Sequence, residues 1–137
     1  MNDAAITGSC LCGSVKFAVT PPFAVFRYCY CSRCRKASGS AHGANLVIPR
    51  TQFEWLNGEG SIRRFDLPGA ERFALWSCGT CGGRVPHHIR TREDMLVPAG
   101  LLDGDPQVRP QNSIFWDSKA PWYVEPHQME LFSEYAK

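Results

Sequence analysis

Seven cysteines in a 137-residue chain fall into three short clusters: "CLC" from Cys10, "CYCSRC" from Cys29 and "CGTC" from Cys78. Zinc in structural sites takes four tetrahedral ligands, thiolates at about 2.3 Å being the commonest. The CxxC of Cys78 and Cys81 has knuckle spacing: two intervening residues let both sulfurs face one ion. Gly79, Gly82 and Gly83 supply the backbone freedom such a turn requires. That pair needs two further ligands, and "CLC", followed by Gly13 and leading into a strand pattern, is their natural source. Cys10, Cys12, Cys78 and Cys81 are therefore expected to close one site. The resulting crosslink ties the N-terminal segment to one more than sixty residues later, and metal-binding free energy becomes folding free energy.

Cys29, Cys31 and Cys34 combine CxC with CxxC in a single six-residue loop, which leaves a tetrahedral ion one position short. Three protein ligands with the fourth place left to water or substrate distinguish catalytic from structural zinc. On this reading the odd count means one closed site and one open one. A side chain or a second subunit could close the trio instead and make it structural. His42, eight residues past Cys34, is the nearest closing ligand or pocket-facing group, against its plainer reading as a packing residue. His87, His88 and His127 have no ligand spacing and read as surface residues. Arg33, Arg35 and Lys36 crowd the loop, where cations lower cysteine pKa and offset negative charge. A disulfide framework would leave a seventh thiol over, and a CxxC redox pair lacks the βαβ pattern expected around it.

The elements that must position these groups are short. Strand patterns run over 14–19, 44–48, 53–56, 62–65, 72–76, 95–101, 114–116 and 122–124, separated by turns such as "LPGAE", "NGEG" and "LDGDP". One or two turns of helix fit 32–37. The fold expected is a single, mainly β domain of short antiparallel strands. Length suits one domain, and 44% hydrophobic with 12% aromatic residues suffices for a core. The opening "MNDAAITGSC" lacks the basic start and apolar run of a signal peptide, and "ANLVIP" falls far short of the ~20 residues that span a bilayer. A cytoplasmic protein with no membrane partner is expected, and clustered cysteines in a reducing compartment are metal ligands or catalytic groups more often than disulfides. The formal charge of +2 becomes near neutral once seven thiolates hold two zinc ions. Nucleic acid is a poor fit, because Arg63, Arg64, Arg72, Arg84, Arg90 and Arg92 are too scattered to form a basic face.

In order, "GSCLCGSVKFAV", "CYCSRCRKASGS", "WSCGTCGG" and "SIFWDSKAPW" resemble the landmarks of the glutathione-dependent formaldehyde-activating enzyme family, whose relatives include centromere protein V. The resemblance runs from about Gly8 to Trp122 and implies one zinc-binding domain over residues 1–137, a β-tent stapled by zinc. It implies two zinc ions, Cys10, Cys12, Cys78 and Cys81 holding the structural one. Cys29, Cys31 and Cys34 correspond to the second, catalytic set, which can stand empty or oxidised when loosely held. The activity implied is that of a carbon–sulfur lyase type of enzyme, forming or cleaving S-(hydroxymethyl)glutathione. Its partners would be a small thiol such as glutathione and an aldehyde, formaldehyde. An ion with a vacancy lowers the pKa of an incoming thiol or polarises the carbonyl. Arg33, Arg35 or Lys36 are candidates to hold a substrate carboxylate, Ser38, Ser40 and His42 to line the pocket, and Trp116 and Trp122 to pack its wall or the core. The reading from another class is a zinc-stapled binding module with both metals structural and no catalysis. It predicts a fourth protein ligand at the trio and no pocket beside it.

Overall fold

Alternation of apolar and polar side chains over short runs dictates strands whose two faces meet different surroundings. A computed structural model of the chain, which describes residues 4–136, contains eleven of them. They are β1 (Ile6–Ser9), β2 (Lys16–Val19), β3 (Val25–Cys29), β4 (Gly43–Pro49), β5 (Phe53–Asn57), β6 (Ile62–Asp66), β7 (Ala74–Cys78), β8 (Arg84–Val85), β9 (His87–His88), β10 (Asp94–Pro98) and β11 (Asn112–Ile114). One α-helix, α1 (Ser32–Ser38), follows β3. The strands form three sheets, ordered β1-β2-β5, β11-β3-β4-β10-β9 and β6-β7-β8. All pairings are antiparallel except β11 with β3. The expected mainly β single domain is what forms. Among the described residues no helix is long and apolar enough to cross a membrane.

The five-stranded sheet divides the molecule. Phe26, Leu46, Ile48, Met95 and Val97 point from one face onto Phe17 and Val19 of β2, forming the main core. Phe17 is fully buried, stacked on Phe53 at 5.5 Å and edge-on to Trp55 at 6.4 Å. A second cluster packs Val15, Ala74, Trp76 and Val85 around Cys10 and Cys78. The period of two sends Arg27, Cys29, Asn45, Val47, Leu96 and Ile114 to the sheet's opposite face. Pairing fixes which of them adjoin: Cys29 lies opposite Gly43 and Ile114, Arg27 opposite Asn45, and Leu96 between Val47 and His87.

Several expected strands shift or vanish. The run predicted over 114–116 pairs as β11 two residues earlier and ends at Ile114, before Phe115, which adopts a left-handed conformation (φ 55°). The run over 122–124 forms no strand: Trp122 ends a turn with 64% of its surface exposed, and Tyr123 packs on Tyr30 at 5.3 Å instead of pairing. The run over 95–101 stops at Pro98 and gives way to a 3₁₀ turn, and that over 72–76 begins at Ala74. β1 and β3 were not expected. β1, "ITGS", has little apolar character because Gly8 must admit the ring of Phe17, whose Cζ lies 2.4 Å from where a Cβ would stand. In β3 both faces are put to use, Phe26 inward and Arg27 toward the site, so it has no simple alternation.

Candidate functional site

The sulfurs of Cys10, Cys12, Cys78 and Cys81 come within 4.8 Å of one another. Cys12 Sγ lies 3.7 Å from Cys10 Sγ and 3.9 Å from Cys78 Sγ, and the edge of a tetrahedron with 2.3 Å metal–sulfur arms is about 3.8 Å. The knuckle's amides converge on the sulfurs: Thr80 and Cys81 N–H donate to Cys78 Sγ at 3.3 and 3.4 Å, and Gly83 N–H to Cys81 Sγ at 3.4 Å. Val15 N–H donates to Cys10 Sγ at 3.3 Å. Ser14 stands 3.1 Å from Cys12 Sγ and 3.2 Å from Cys78 Sγ, its hydroxyl able to donate to either thiolate. Ser14 first, then the Cys81 and Thr80 amides, hold the Cys78 thiol at about 5. Burial opposes ionisation of Cys10, yet hydrogen bonds led by the Val15 amide bring its pKa below the usual thiol value. Four thiolate donors at tetrahedral spacing suit a soft or borderline ion. The partition expected for this quartet is the one the fold brings together; Ser14, which was not singled out in the sequence, belongs to it.

Cys29 ends β3, Cys31 takes the N-cap of α1 and Cys34 lies in its first turn, and their sulfurs also fall within 4.8 Å of one another. Cys31 Sγ accepts from Cys34 N–H at 3.4 Å, and Gly39 closes the helix in the left-handed region. A hydrogen bond from the Cys34 thiol, helped by the Cys31 amide against the cost of burial, lowers Cys29 to about 6. The same bond, with burial, pushes Cys34 well above the ordinary thiol range. Among the described residues no histidine, carboxylate or further cysteine joins this trio.

His42 belongs elsewhere. Its ring stacks on Tyr28 at 4.2 Å and meets Tyr30 at 4.9 Å, while Nδ1–H donates to the Gly43 carbonyl at 3.1 Å. It packs on the aromatic side of the sheet, neither closing the trio nor lining a pocket. Ser38 and Ser40 also stay out of the pocket: Ser38 Oγ donates to the Cys34 carbonyl at 2.8 Å and accepts from Ser40 N–H at 3.2 Å, finishing the helix.

A cleft of about 840 Å³ opens at the trio. Its floor is the free face of the five-stranded sheet, bearing Arg27, Cys29, Asn45, Val47, Leu96 and Ile114. The facing wall is the 69–73 segment with Arg84 of β8, and Phe115, 62% exposed, stands at the rim. Trp116 packs edge-on against Tyr30 at 5.0 Å outside it, and Trp122 borders a separate small groove. Five arginines (Arg27, Arg33, Arg72, Arg84 and Arg92) line the cleft with a single carboxylate, Glu71. Among the described residues only Arg92 of these five makes an ion pair, with Asp94. Of the cations expected around the trio, Arg33 reaches the cleft while Arg35 and Lys36 do not. Arg84 is the one that senses a trio sulfur: burial pulls its pKa down and charge on Cys34 pushes it back up. Of the six arginines that look scattered in sequence, Arg72, Arg84 and Arg92 thus converge with Arg27 and Arg33 on a cleft.

His87 also overturns its reading as a surface residue. It is 2% exposed and lines the cleft from β9, Nδ1–H donating to the His88 carbonyl at 2.8 Å while Nε2 is buried without a partner. Burial holds its pKa at about 4, so the imidazole is neutral. An unfolded chain would titrate it near 6.5. Between about 6.5 and 4 the unfolded state binds the extra proton, so the stability His87 contributes is complete above that window and lost as pH falls through it. Relative to His87→Gln, which lacks the titration, the wild type is expected to lose about 3 kcal/mol between pH 7 and pH 4 in urea melts. Parallel losses in both proteins would rule this out.

Comparison with known proteins agrees with this geometry. The family model described as "Glutathione-dependent formaldehyde-activating enzyme" matches residues 5–118. A Halomonas elongata protein that bears that enzyme's name provisionally is 49% identical over 128 residues, covering 85% of this chain and 78% of its own. A crystal structure of a Rhodobacter sphaeroides protein superposes with a TM-score of 0.58 at 26% identity, over 78% of this chain and 98% of that one. With the match spanning both sulfur groups and the strands that carry them, the chain belongs to the glutathione-dependent formaldehyde-activating enzyme family.

Proposed function

We propose that this domain adds a small acidic thiol, glutathione or a close relative, to formaldehyde or another small aldehyde, at a zinc ion held by Cys29, Cys31 and Cys34. A second zinc, held by Cys10, Cys12, Cys78 and Cys81, serves the fold alone. The thiol sulfur forms a bond to the carbonyl carbon, the carbonyl π pair moves to oxygen, and the proton the thiol gave up ends on that oxygen. Cys29, Cys31 and Cys34 would hold the ion, and a metal bound there would supply Lewis-acid chemistry to the thiol and the carbonyl.

The chain's own residues do the rest. Arg27, Arg33, Arg72 and Arg84, without carboxylate partners, would take the carboxylates of the thiol, a guanidinium engaging a carboxylate through two parallel N–H donors. Glu71 is the one lining group suited to an ammonium. Val47, Leu96 and Ile114 give the floor an apolar surface for the peptide's carbon skeleton. The observation that carries the proposal is the trio, with no fourth protein ligand among the described residues, opening onto a cleft whose four guanidinium groups lack carboxylate partners; a purely structural second site would need neither vacancy nor cleft.

Mixing glutathione with formaldehyde and following S-(hydroxymethyl)glutathione by NMR exchange tests it. Zinc-loaded protein is expected to accelerate formation at least ~100-fold over the buffer reaction, and Arg84→Gln to raise the KM for glutathione about tenfold with kcat nearly unchanged. Identical rates with and without protein would favour the binding-module reading.

A further inference from the structure

Asn45 stands on the cleft floor in β4, the middle strand of its sheet, 7% exposed and with Oδ1 buried without a hydrogen-bond partner. An amide oxygen so placed has lost water and gained no partner in the free protein. Its position is specified by its neighbours. The amide bends along the strand over Gly43: a Cβ there would lie 3.0 Å from Nδ2 and 3.4 Å from Oδ1. Gly43 is the ladder partner of Cys29, and Arg27 lies directly opposite Asn45. Facing residues of an antiparallel ladder have Cβ atoms about 5 Å apart, so the amide is held one ladder step from the trio. His87, the other unpartnered polar group on this face among the described residues, sits on β9, three strands from β3, too far across the floor to serve the same point.

We infer that Asn45 contacts the substrate at the oxygen of the carbon under attack. The inference rests on the proposed function and adds a residue to it. In the addition that oxygen begins as a carbonyl, gathers negative charge as the carbon–sulfur bond forms, and ends as a hydroxyl. A carboxamide matches every stage without ionising: Nδ2–H donates to the oxygen while charge builds, and Oδ1 accepts from the O–H once protonated. An aspartate could only accept, and would repel the growing charge. Gly43 leaves the room in which the amide can do this, where any side chain would push it aside.

Two glutathione thioethers that differ at one heavy atom provide the test, S-(hydroxymethyl)glutathione and S-ethylglutathione, titrated calorimetrically into zinc-loaded wild type, Asn45→Ala and Asn45→Asp, with turnover measured alongside. Wild type is expected to bind the hydroxymethyl compound at least ~10-fold more tightly. Asn45→Ala should lose that preference while keeping its affinity for the ethyl compound, and lose about 100-fold in turnover with the KM for glutathione unchanged. Asn45→Asp, close in shape, should keep the preference for the hydroxyl yet lose turnover, which tests the donor separately and guards against misfolding of the alanine variant. An active wild type that shows no preference, or an Asn45→Ala that keeps both preference and turnover, would overturn the role of Asn45 and leave the proposed function standing. A wild type that binds neither thioether and turns nothing over would overturn both.

Discussion

Cys81→Ser is expected to be largely unfolded at 25 °C, while Cys31→Ser, prepared alongside it, melts within a few degrees of the wild type. On the proposed function, losing Cys81 breaks a metal crosslink between the β1–β2 turn and the β7–β8 knuckle, segments that lie in different sheets. The binding energy of a structural zinc, on the order of 10–16 kcal/mol, matches or exceeds the whole stability of a domain this size, about 5–15 kcal/mol. Part of that binding survives with three thiolates, but the remainder has to hold a nest in which Cys10 and Cys78 are almost wholly buried. Cys10→Ser should behave the same way. Cys31 joins no two sheets; it caps one short helix, and serine is itself a strong N-cap, so the contact to the Cys34 amide survives the change. Circular dichroism melts with metal counts by mass spectrometry decide the matter: Cys31→Ser should retain one zinc per chain and the full transition. Equal loss of melting temperature in both variants would mean that the two sulfur groups do not divide the labour.

The second large effect concerns chemistry alone. Cys29→Ser should lower kcat/KM by at least a thousandfold, roughly 4 kcal/mol of transition-state stabilisation, without moving the melt by more than a few degrees. Cys29 is the trio member whose thiol is already poised near 6 by the Cys34 bond, and a serine hydroxyl in its place is a poor ligand for zinc. X-ray absorption at the zinc edge supplies a readout independent of rate: adding glutathione to wild type should raise the mean sulfur count, and adding it to Cys29→Ser should not. An unchanged wild-type spectrum would exclude direct thiol ligation even if turnover were present.

The sulfur sites were legible in the sequence for a physical reason. A CxxC or CxC fixes the direction of two side chains within a few residues, so ligand geometry there is nearly local. The cleft was not legible, because its character depends on register. Arg27, Arg72 and Arg84 meet only because β3, the 69–73 segment and β8 face one another, and nothing in the spacing of those arginines encodes that. Asn45 illustrates the same point: within "GANLVIP" it is one polar residue in an apolar run, and only the pairing of Gly43 with Cys29 reveals what it adjoins. His42, near the trio in sequence, lies on the other side of the sheet stacked on Tyr28, which agrees with its plainer reading as a packing residue and not with a ligand or pocket role. His87 looked peripheral because a two-residue strand leaves no pattern.

Arg84 follows Gly83, whose amide is bonded to Cys81 Sγ. The charge that confronts Cys34 is therefore bolted to the sealed sulfur quartet. On the proposed function, a variant that emptied the quartet would lose the fold and this guanidinium's placement together, and capture of the thiol at the trio would fail with them. Upkeep and substrate capture would then share one dependence on trace-element supply.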